Sequence, residues 1–316
     1  MCVISALYKK LVVRRYDPDG VIKYFTYEDF PGMTAEPVAF STPQGVELKG
    51  NIYAYPDADA DSLVVFAHGI GGGHRSYLRE IELLCNEGYR VVGFDNAGCF
   101  ASGGKNIRGL TESVNDLNAC LNYLRSQPRF AETRVSLVGH SWGGYAVGNV
   151  LNLRDDIHAA VVISGFVSTP EFVRLFLKGK HGLVRRGICR FERRANPDIY
   201  PLCSADALEK TSAKALVIHS RDDAMVPIAC GLDFVRDRVK NPNVRYLELE
   251  GKYHNPNYSD DAVRYMRECF GAYEEQLREK RLKTDDEKRA FTAGWDYLRM
   301  TAQDEGVWKE IFDTIK

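Results

Sequence analysis

The stretch Val135-Ser136-Leu137-Val138-Gly139-His140-Ser141-Trp142-Gly143 decides how the rest of the chain is read. Its first four residues have the composition of a strand, and a helical pattern opens at about Trp142. Ser141 therefore falls in the turn between a buried strand and a helix. In that setting the two glycines relieve crowding in a sharp turn, and the turn holds the serine hydroxyl above the strand ends. The helix N-terminus behind it favours developing negative charge. By itself the pentapeptide also admits a plainer reading, a glycine-rich strand–helix connection with an incidental serine.

Outward from this turn the chain alternates strand and helix. Leu63 to Ala67 is a continuous apolar run, as expected of a strand covered on both faces. Further strands are expected at 37–41, 46–54, 90–94, 135–138, 159–163, 215–218 and 245–249, with helices from Tyr77 to Cys85, after Thr111, and at about 229–239 and 259–278. Val114, Leu117, Leu121 and Leu124 line one face of the second of these helices. Such alternation predicts an α/β fold with a mostly parallel central sheet and helices on both faces. Residues 11–16 and 21–27, rich in Val and Tyr, flank the turn sequence Asp17-Pro18-Asp19-Gly20, which predicts an N-terminal hairpin. Residues 165–208 break the rhythm between two strands and read as a helical cap inserted over one end of the sheet. The expected organisation is an N-terminal extension with the hairpin (1–32), a core (33–166 and 206–278), the cap (167–205), and C-terminal amphipathic helices (279–316).

Composition excludes little but is informative. The chain has 316 residues, 45% hydrophobic and 27% charged, as is ordinary for a globular protein. Lys plus Arg is 42 against 43 for Asp plus Glu, a net charge of −1, so global charge gives no reason to expect a nucleic-acid partner. Lys9 and Lys10 arrive too early for a secretory signal, and no apolar run is long enough to span a bilayer. A cytoplasmic protein with no membrane partner is expected. The eight cysteines form no Cys-x-x-Cys pair and are expected as small buried hydrophobes.

A serine hydroxyl becomes a nucleophile only with a base and an acid to orient that base. Asp222-Asp223-Ala224-Met225-Val226-Pro227 follows the strand ending at Ile218, and His254 follows the strand ending near Leu249. Both fall on loops at the same end of the parallel sheet as Ser141, in the chain order serine, acid, histidine. Together with His68-Gly69-Ile70-Gly71-Gly72, these motifs resemble the α/β-hydrolase superfamily, in particular bacterial serine hydrolases of serine-aminopeptidase-like or acyl-esterase-like type, over about residues 33–276. The resemblance implies the α/β-hydrolase fold with Ser141 as nucleophile, His254 as base and Asp223 as the orienting acid, Asp222 being the alternative. It implies an oxyanion hole from the N–H groups of Trp142 and of Ile70, or else Gly71. His68 is then expected to brace its loop and His140 to support the nucleophile. Asp95-Asn96-Ala97-Gly98 with Ser102-Gly103 resembles a loop that shapes the fold near the pocket. His74, His158, His181 and His219 show no metal-ligand spacing, so neither a metal nor another cofactor is expected.

The chemistry so implied is hydrolysis of a carboxylic ester, or a related acyl bond of a small-molecule substrate, through an acyl-enzyme on Ser141. The alternatives are a peptidase or amidase of the serine-aminopeptidase type and a non-catalytic binding protein on the same scaffold. In the cap, Arg174, Lys178, Lys180, Arg185, Arg186, Arg190, Arg193 and Arg194 face only Glu171 and Glu192 over 171–194. They are expected either as a mouth that attracts an anionic substrate or as a solvated helix face. The C-terminal helices, with Phe291, Trp295 and Leu298 on one face and Val307, Trp308, Ile311, Phe312 and Ile315 on another, are expected as added core or as a contact in a homo-oligomer.

Overall fold

The computed structural model describes the backbone of residues 2–177 and 182–316, and the side chains of that set from residue 6 onward. One eight-stranded sheet runs through it: β1 (Thr34–Ser41), β2 (Glu47–Ala54), β3 (Ser62–Ala67), β4 (Arg90–Phe94), β5 (Arg134–His140), β6 (Ala159–Ile163), β7 (Lys214–Ser220) and β8 (Val244–Leu249), in spatial order β1-β2-β4-β3-β5-β6-β7-β8. β1–β2 and β2–β4 are antiparallel, and every other pair is parallel. The eight strands lie where the apolar runs predict them. Every residue of β3 and β6 is buried, which is why these strands read as unbroken runs while β1 alternates near its end.

Twelve α-helices are present among the described residues: α1 (Cys2–Leu11), α2 (Leu78–Asn86), α3 (Glu112–Ser126), α4 (Trp142–Val150), α5 (Thr169–Phe176), α6 (Gly182–Ala195), α7 (Ser204–Lys210), α8 (Leu232–Arg238), α9 (Asp260–Arg278), α10 (Asp285–Thr292), α11 (Tyr297–Met300) and α12 (Glu305–Ile315). One sheet face packs on α3, α4, α7 and α8 through residues such as Val65, Leu117, Tyr145 and Leu208. The other packs on α2 and α12 through Phe66, Ile81, Trp308 and Ile311. α12 is thus part of the core, with Ile311 and Trp308 almost wholly buried. On the other predicted face, Phe291 and Trp295 meet Phe270 and Tyr273 of α9, whereas Leu298 is exposed.

The N-terminal hairpin is not formed. Residues 2–11 are helical, and 12–26 contain no strand, only a bridge between Tyr16 and Cys99. β-propensity counts only where a pleated surface is available to pack on, and these Val- and Tyr-rich segments pack on helices and loops. Their apolar residues go to different places instead. Tyr8 and Val13 pack against Val173 and Ile188 of the cap. Phe25 joins Phe30 in the core under β2. Asp19 still closes its turn by accepting from the N–H groups of Val21 and Ile22.

Between β6 and β7 stand α5 and α6, the cap, followed by α7, which returns to the core. Ser168 caps α5 by accepting from the Glu171 N–H, with Pro170 in the first turn. α6 is held by its one inward carboxylate. Glu192 is fully buried and accepts from the Tyr8 hydroxyl of α1 and from the Leu110 N–H. Burial pushes its carboxyl up, against the pull of those donors. Lys178, Lys180 and His181 lie outside the described residues. Among those residues no helix is long and apolar enough to cross a membrane.

Candidate active site

Ser141 sits between β5 and α4 with φ 58° and ψ −117°, a conformation that a non-glycine residue holds only when its surroundings enforce it. Its N–H donates to Ile163 O on the adjacent strand (2.8 Å), and its carbonyl accepts from Tyr145 N (2.9 Å). The flanking glycines are steric requirements. A Cβ on Gly143 would lie 1.9 Å from Ala67 O, and one on Gly139 would lie 2.5 Å from Gly143 O. Trp142 is the first helical residue, so its N–H has no carbonyl four residues back to serve. Its indole is buried and donates to Leu110 O (2.5 Å).

His254 and Asp223 come from the loops after β8 and β7. His254 Nδ1 donates to Asp223 Oδ2 (2.7 Å), which leaves Nε2 as the free lone pair of the neutral ring. Asp223 Oδ1 accepts from the N–H groups of Met225 and Val226 (2.9 Å each). His219 Nε2, which donates to Val226 O, lies 3.4 Å from Asp223 Oδ2. Burial by itself would raise the Asp223 carboxyl. The hydrogen bonds from His219, His254 and the Val226 amide outweigh it and hold the carboxyl well below the usual range. Asp222 has a different position. Its Oδ1 accepts from Ser220 Oγ and from the N–H groups of Gly251 and Tyr253, tying the β7 loop to the His254 loop.

Ser141, Trp142, Ile70 and His254 all border one cavity of about 640 Å³. Ile70 reaches it from the loop after β3. That loop is fixed by His68, whose Nδ1 donates to Gly69 O (2.8 Å) and whose Nε2 accepts from Asn96 N (2.9 Å). Asp95 is fold-shaping, taking bonds from His74 N, His74 Nδ1 and Ala101 N. The cavity roof is made by α1, α5 and α6, including Tyr8, Phe172, Val173 and Ile188, and none of the described lining residues is charged. Arg174, Arg185 and Arg186 border a separate surface depression, so an electropositive mouth finds no support in the described lining. At the rim Leu7, Leu11, Phe176 and Met225 remain 57–61% exposed.

Sequence reasoning passed over the supports of the loop that carries His254. Lys252 is buried, and its ammonium donates to Asp304 Oδ2 and Tyr258 O (2.8 Å each) and pairs with Asp260. Asp304 N in turn donates to Asn257 O, and Ser259 N to Ala302 O. The segment before α12 is therefore laced to the loop that carries His254. Tyr77 was passed over as well; its hydroxyl meets His140 and Gly69. No spacing rule joins these residues, because each finds its partner only through the fold.

This sheet order, with a strained serine at the β5–α4 turn and a His–Asp pair on the loops after β8 and β7, is that of the α/β-hydrolase fold. A family model, serine aminopeptidase S33, matches residues 58–200. The solved esterase Pf2001 of Pyrococcus furiosus superposes with a TM-score of 0.60 over 83% of this chain and 98% of its own, at 21% identity. Monoacylglycerol lipase of Mycolicibacterium smegmatis is 24% identical over 261 residues, 68% of this chain and 89% of that protein. Human protein ABHD8 is 26% identical over 138 residues, 42% of this chain, and the match spans only 30% of that relative's length.

Proposed function

We propose that the chain is a serine hydrolase that cleaves a carboxylic ester bearing an apolar acyl group. One observation carries this reading: Ser141 and the Asp223-held His254 open on a cavity whose described lining is uncharged and almost wholly apolar. His254 Nε2 takes the Ser141 proton as Oγ attacks the ester carbonyl. The oxyanion of the tetrahedral intermediate accepts from the N–H groups of Trp142 and Ile70. On collapse the C–O bond to the alcohol breaks, and His254 returns the proton to the leaving oxygen. Water, deprotonated by the same ring, then attacks the acyl-enzyme and frees the acid and Ser141. Asp223, kept ionised, fixes the tautomer and offsets the charge of the imidazolium. None of these steps needs a cofactor.

Amide cleavage by an aminopeptidase is the second reading, favoured by the matching family model. It fits the cavity less well, since a substrate's free ammonium calls for a buried partner charge and the described lining contains no Asp or Glu. The deciding measurement is labelling by a fluorophosphonate, followed by turnover of neutral acyl esters and aminoacyl amides side by side. Labelling of the native chain and not of Ser141→Ala, with esters preferred, is the expected result. A native chain that neither labels nor turns over any of them is a binding protein on this scaffold.

A further inference from the structure

From the hydrogen bonds around the nucleophile turn we infer that Tyr77 and His140 are positioning residues, forming a relay that fixes the backbones of the oxyanion loop, the nucleophile turn and the base loop relative to one another. This inference rests on the serine-hydrolase reading for its kinetic consequences, but not for its geometry.

The relay has one consistent proton arrangement. His140 Nε2 lies 2.7 Å from the carbonyl oxygen of His254. A carbonyl can only accept, so Nε2 carries the hydrogen. In the neutral ring Nδ1 is then an acceptor, and it lies 2.9 Å from the Tyr77 hydroxyl, which must donate to it. The hydroxyl oxygen keeps its acceptor capacity, and the Gly69 N–H, 3.2 Å away, uses it. The chain of donors therefore runs from Gly69 through Tyr77 to His140 and on to the His254 carbonyl, with every member satisfied. Each end is one peptide from, or part of, the proposed machinery. Gly69 precedes Ile70, His140 precedes Ser141, and the last acceptor belongs to His254 itself. Burial and the neighbouring His254 ring push His140 down to about 3, so it stays neutral and places no competing cation beside the base.

The fold gives this relay a task. His254 follows Tyr253, which is held at φ 51°. A loop turned through the left-handed region can relax away from its strand unless something restrains it. The Asp223 bond holds the ring of His254, while the His140 bond holds its backbone. Rings at centroid separations of 5.6 Å (Tyr77–His140) and 4.7 Å (His140–His254) pack along the same line.

The test uses the full-length chain with Tyr77→Phe, His140→Gln and His140→Asn, measuring kcat, KM and thermal stability with a neutral ester. Tyr77→Phe keeps the ring packing but removes both hydroxyl bonds, and a drop in kcat of about ten- to a hundred-fold with little change in KM is expected, as for small misplacements of reacting groups. The glutamine amide can still donate toward His254 O, whereas asparagine, which mimics only the Nδ1 side of the ring, cannot. His140→Gln should therefore retain more activity than His140→Asn. A kcat within about two-fold of native for both Tyr77→Phe and His140→Asn, or a loss confined to stability with kcat per folded molecule unchanged, overturns the relay. A second readout is independent of turnover. Nitrogen-15 NMR of labelled histidine should show His140 neutral and protonated on Nε2 between about pH 5 and 8, well above its depressed pKa. An Nδ1–H tautomer or a titration in that range refutes the relay whether or not the chain is a hydrolase. Failure of the native chain to label or turn over refutes only the serine-hydrolase reading.

Discussion

The floor and the roof of the cavity are built on different principles. The floor, comprising the turn at Ser141, the loop at Ile70 and the loops carrying Asp223 and His254, is fixed by backbone geometry and hydrogen bonds. It has a strained φ at Ser141, close contacts that only glycine permits, and a buried carboxylate with two amide donors on one oxygen. The roof, made from α1, α5 and α6, is fixed mainly by apolar contact around Tyr8, Val173 and Ile188, with the Tyr8–Glu192 bond as its polar tie. On the proposed serine-hydrolase reading, such a floor should tolerate almost no substitution at its reacting groups, because geometry within tenths of an ångström decides the rate. On the same reading, such a roof should set which acyl groups gain from burial and leave the chemistry alone. Substitutions in floor and roof should therefore differ in the size of their effect and in the kinetic constant that moves.

The largest effects belong to the floor. Ser141→Ala should lower kcat by about 10⁶ while leaving the denaturant midpoint near native. Wild-type turnover by the purified variant would remove the serine from the mechanism altogether. Asp223→Asn should cost about 10⁴ in kcat, because the amide lets the His254 ring take the wrong tautomer. Asp222→Asn is the internal control. Its carboxylate accepts from backbone N–H groups of Gly251 and Tyr253, not from His254, so the expected loss is about 1–3 kcal/mol of stability with a far smaller change in kcat. If equilibrium unfolding and kinetics gave the two aspartates the opposite ranking, the orienting acid would be Asp222.

This division also explains what could be read from the sequence. The eight strands and the turn at Ser141 were legible because each is specified locally, by apolar runs of the right length and by glycines placed where a side chain cannot fit. The meeting of Asp223 and His254 was legible because parallel strands put their following loops at one end of the sheet. The roof was not. α1 finds its partner in α6, about 180 residues on, and nothing in Val12, Val13 or Tyr16 says that they pack on helices and loops instead of forming a strand. The supports of the loop that carries His254 were hidden for the same reason. Lys252, Asp304 and Tyr77 act through partners brought together only by the fold, and a lone lysine in a loop reads as solvated until its ammonium is found buried between Asp304 and Tyr258 O.

The roof predicts an intermediate effect. Along a series of straight-chain acyl esters, kcat/KM should rise by up to about four-fold per methylene, the equivalent of about 0.8 kcal/mol, until the cavity is filled. Phe172→Ala should take away about ten-fold of kcat/KM for a long acyl chain and leave the acetate ester within about two-fold. Phe172 lines the cavity as the middle ring of the stack from Phe166 to Phe176, so its loss opens the roof without touching the reacting groups. An equal loss on acetate and on the long ester would show that the roof also positions the chemistry, and the contrast with the floor would fail.

The smallest effect is expected where charge is most concentrated in the sequence. Arg174, Arg185 and Arg186 border a depression separate from the cavity, Arg174 is paired with Glu171, and Arg193 lies over the Tyr200 ring. None of the cap arginines is among the residues lining the cavity. Charges held outside act on a substrate through solvent, where screening removes most of their field within about 8–10 Å at ordinary salt. Arg185→Gln with Arg186→Gln should therefore change kcat/KM for any ester by less than about two-fold at moderate ionic strength, which is the range of a screened surface term. The native chain should also turn over an ester with an anionic acyl terminus more slowly than its neutral isostere at both low and high salt. The uncharged lining would leave that anion unpaired, and burying an unpaired charge costs several kcal/mol. Paired measurements on the two esters at two ionic strengths decide the matter. If the anionic ester were the better substrate, and that advantage fell with salt and with the double substitution, the roof would be steering charge as well as enclosing an acyl chain. Specificity would then have to be assigned to its outer face as well as its inner one.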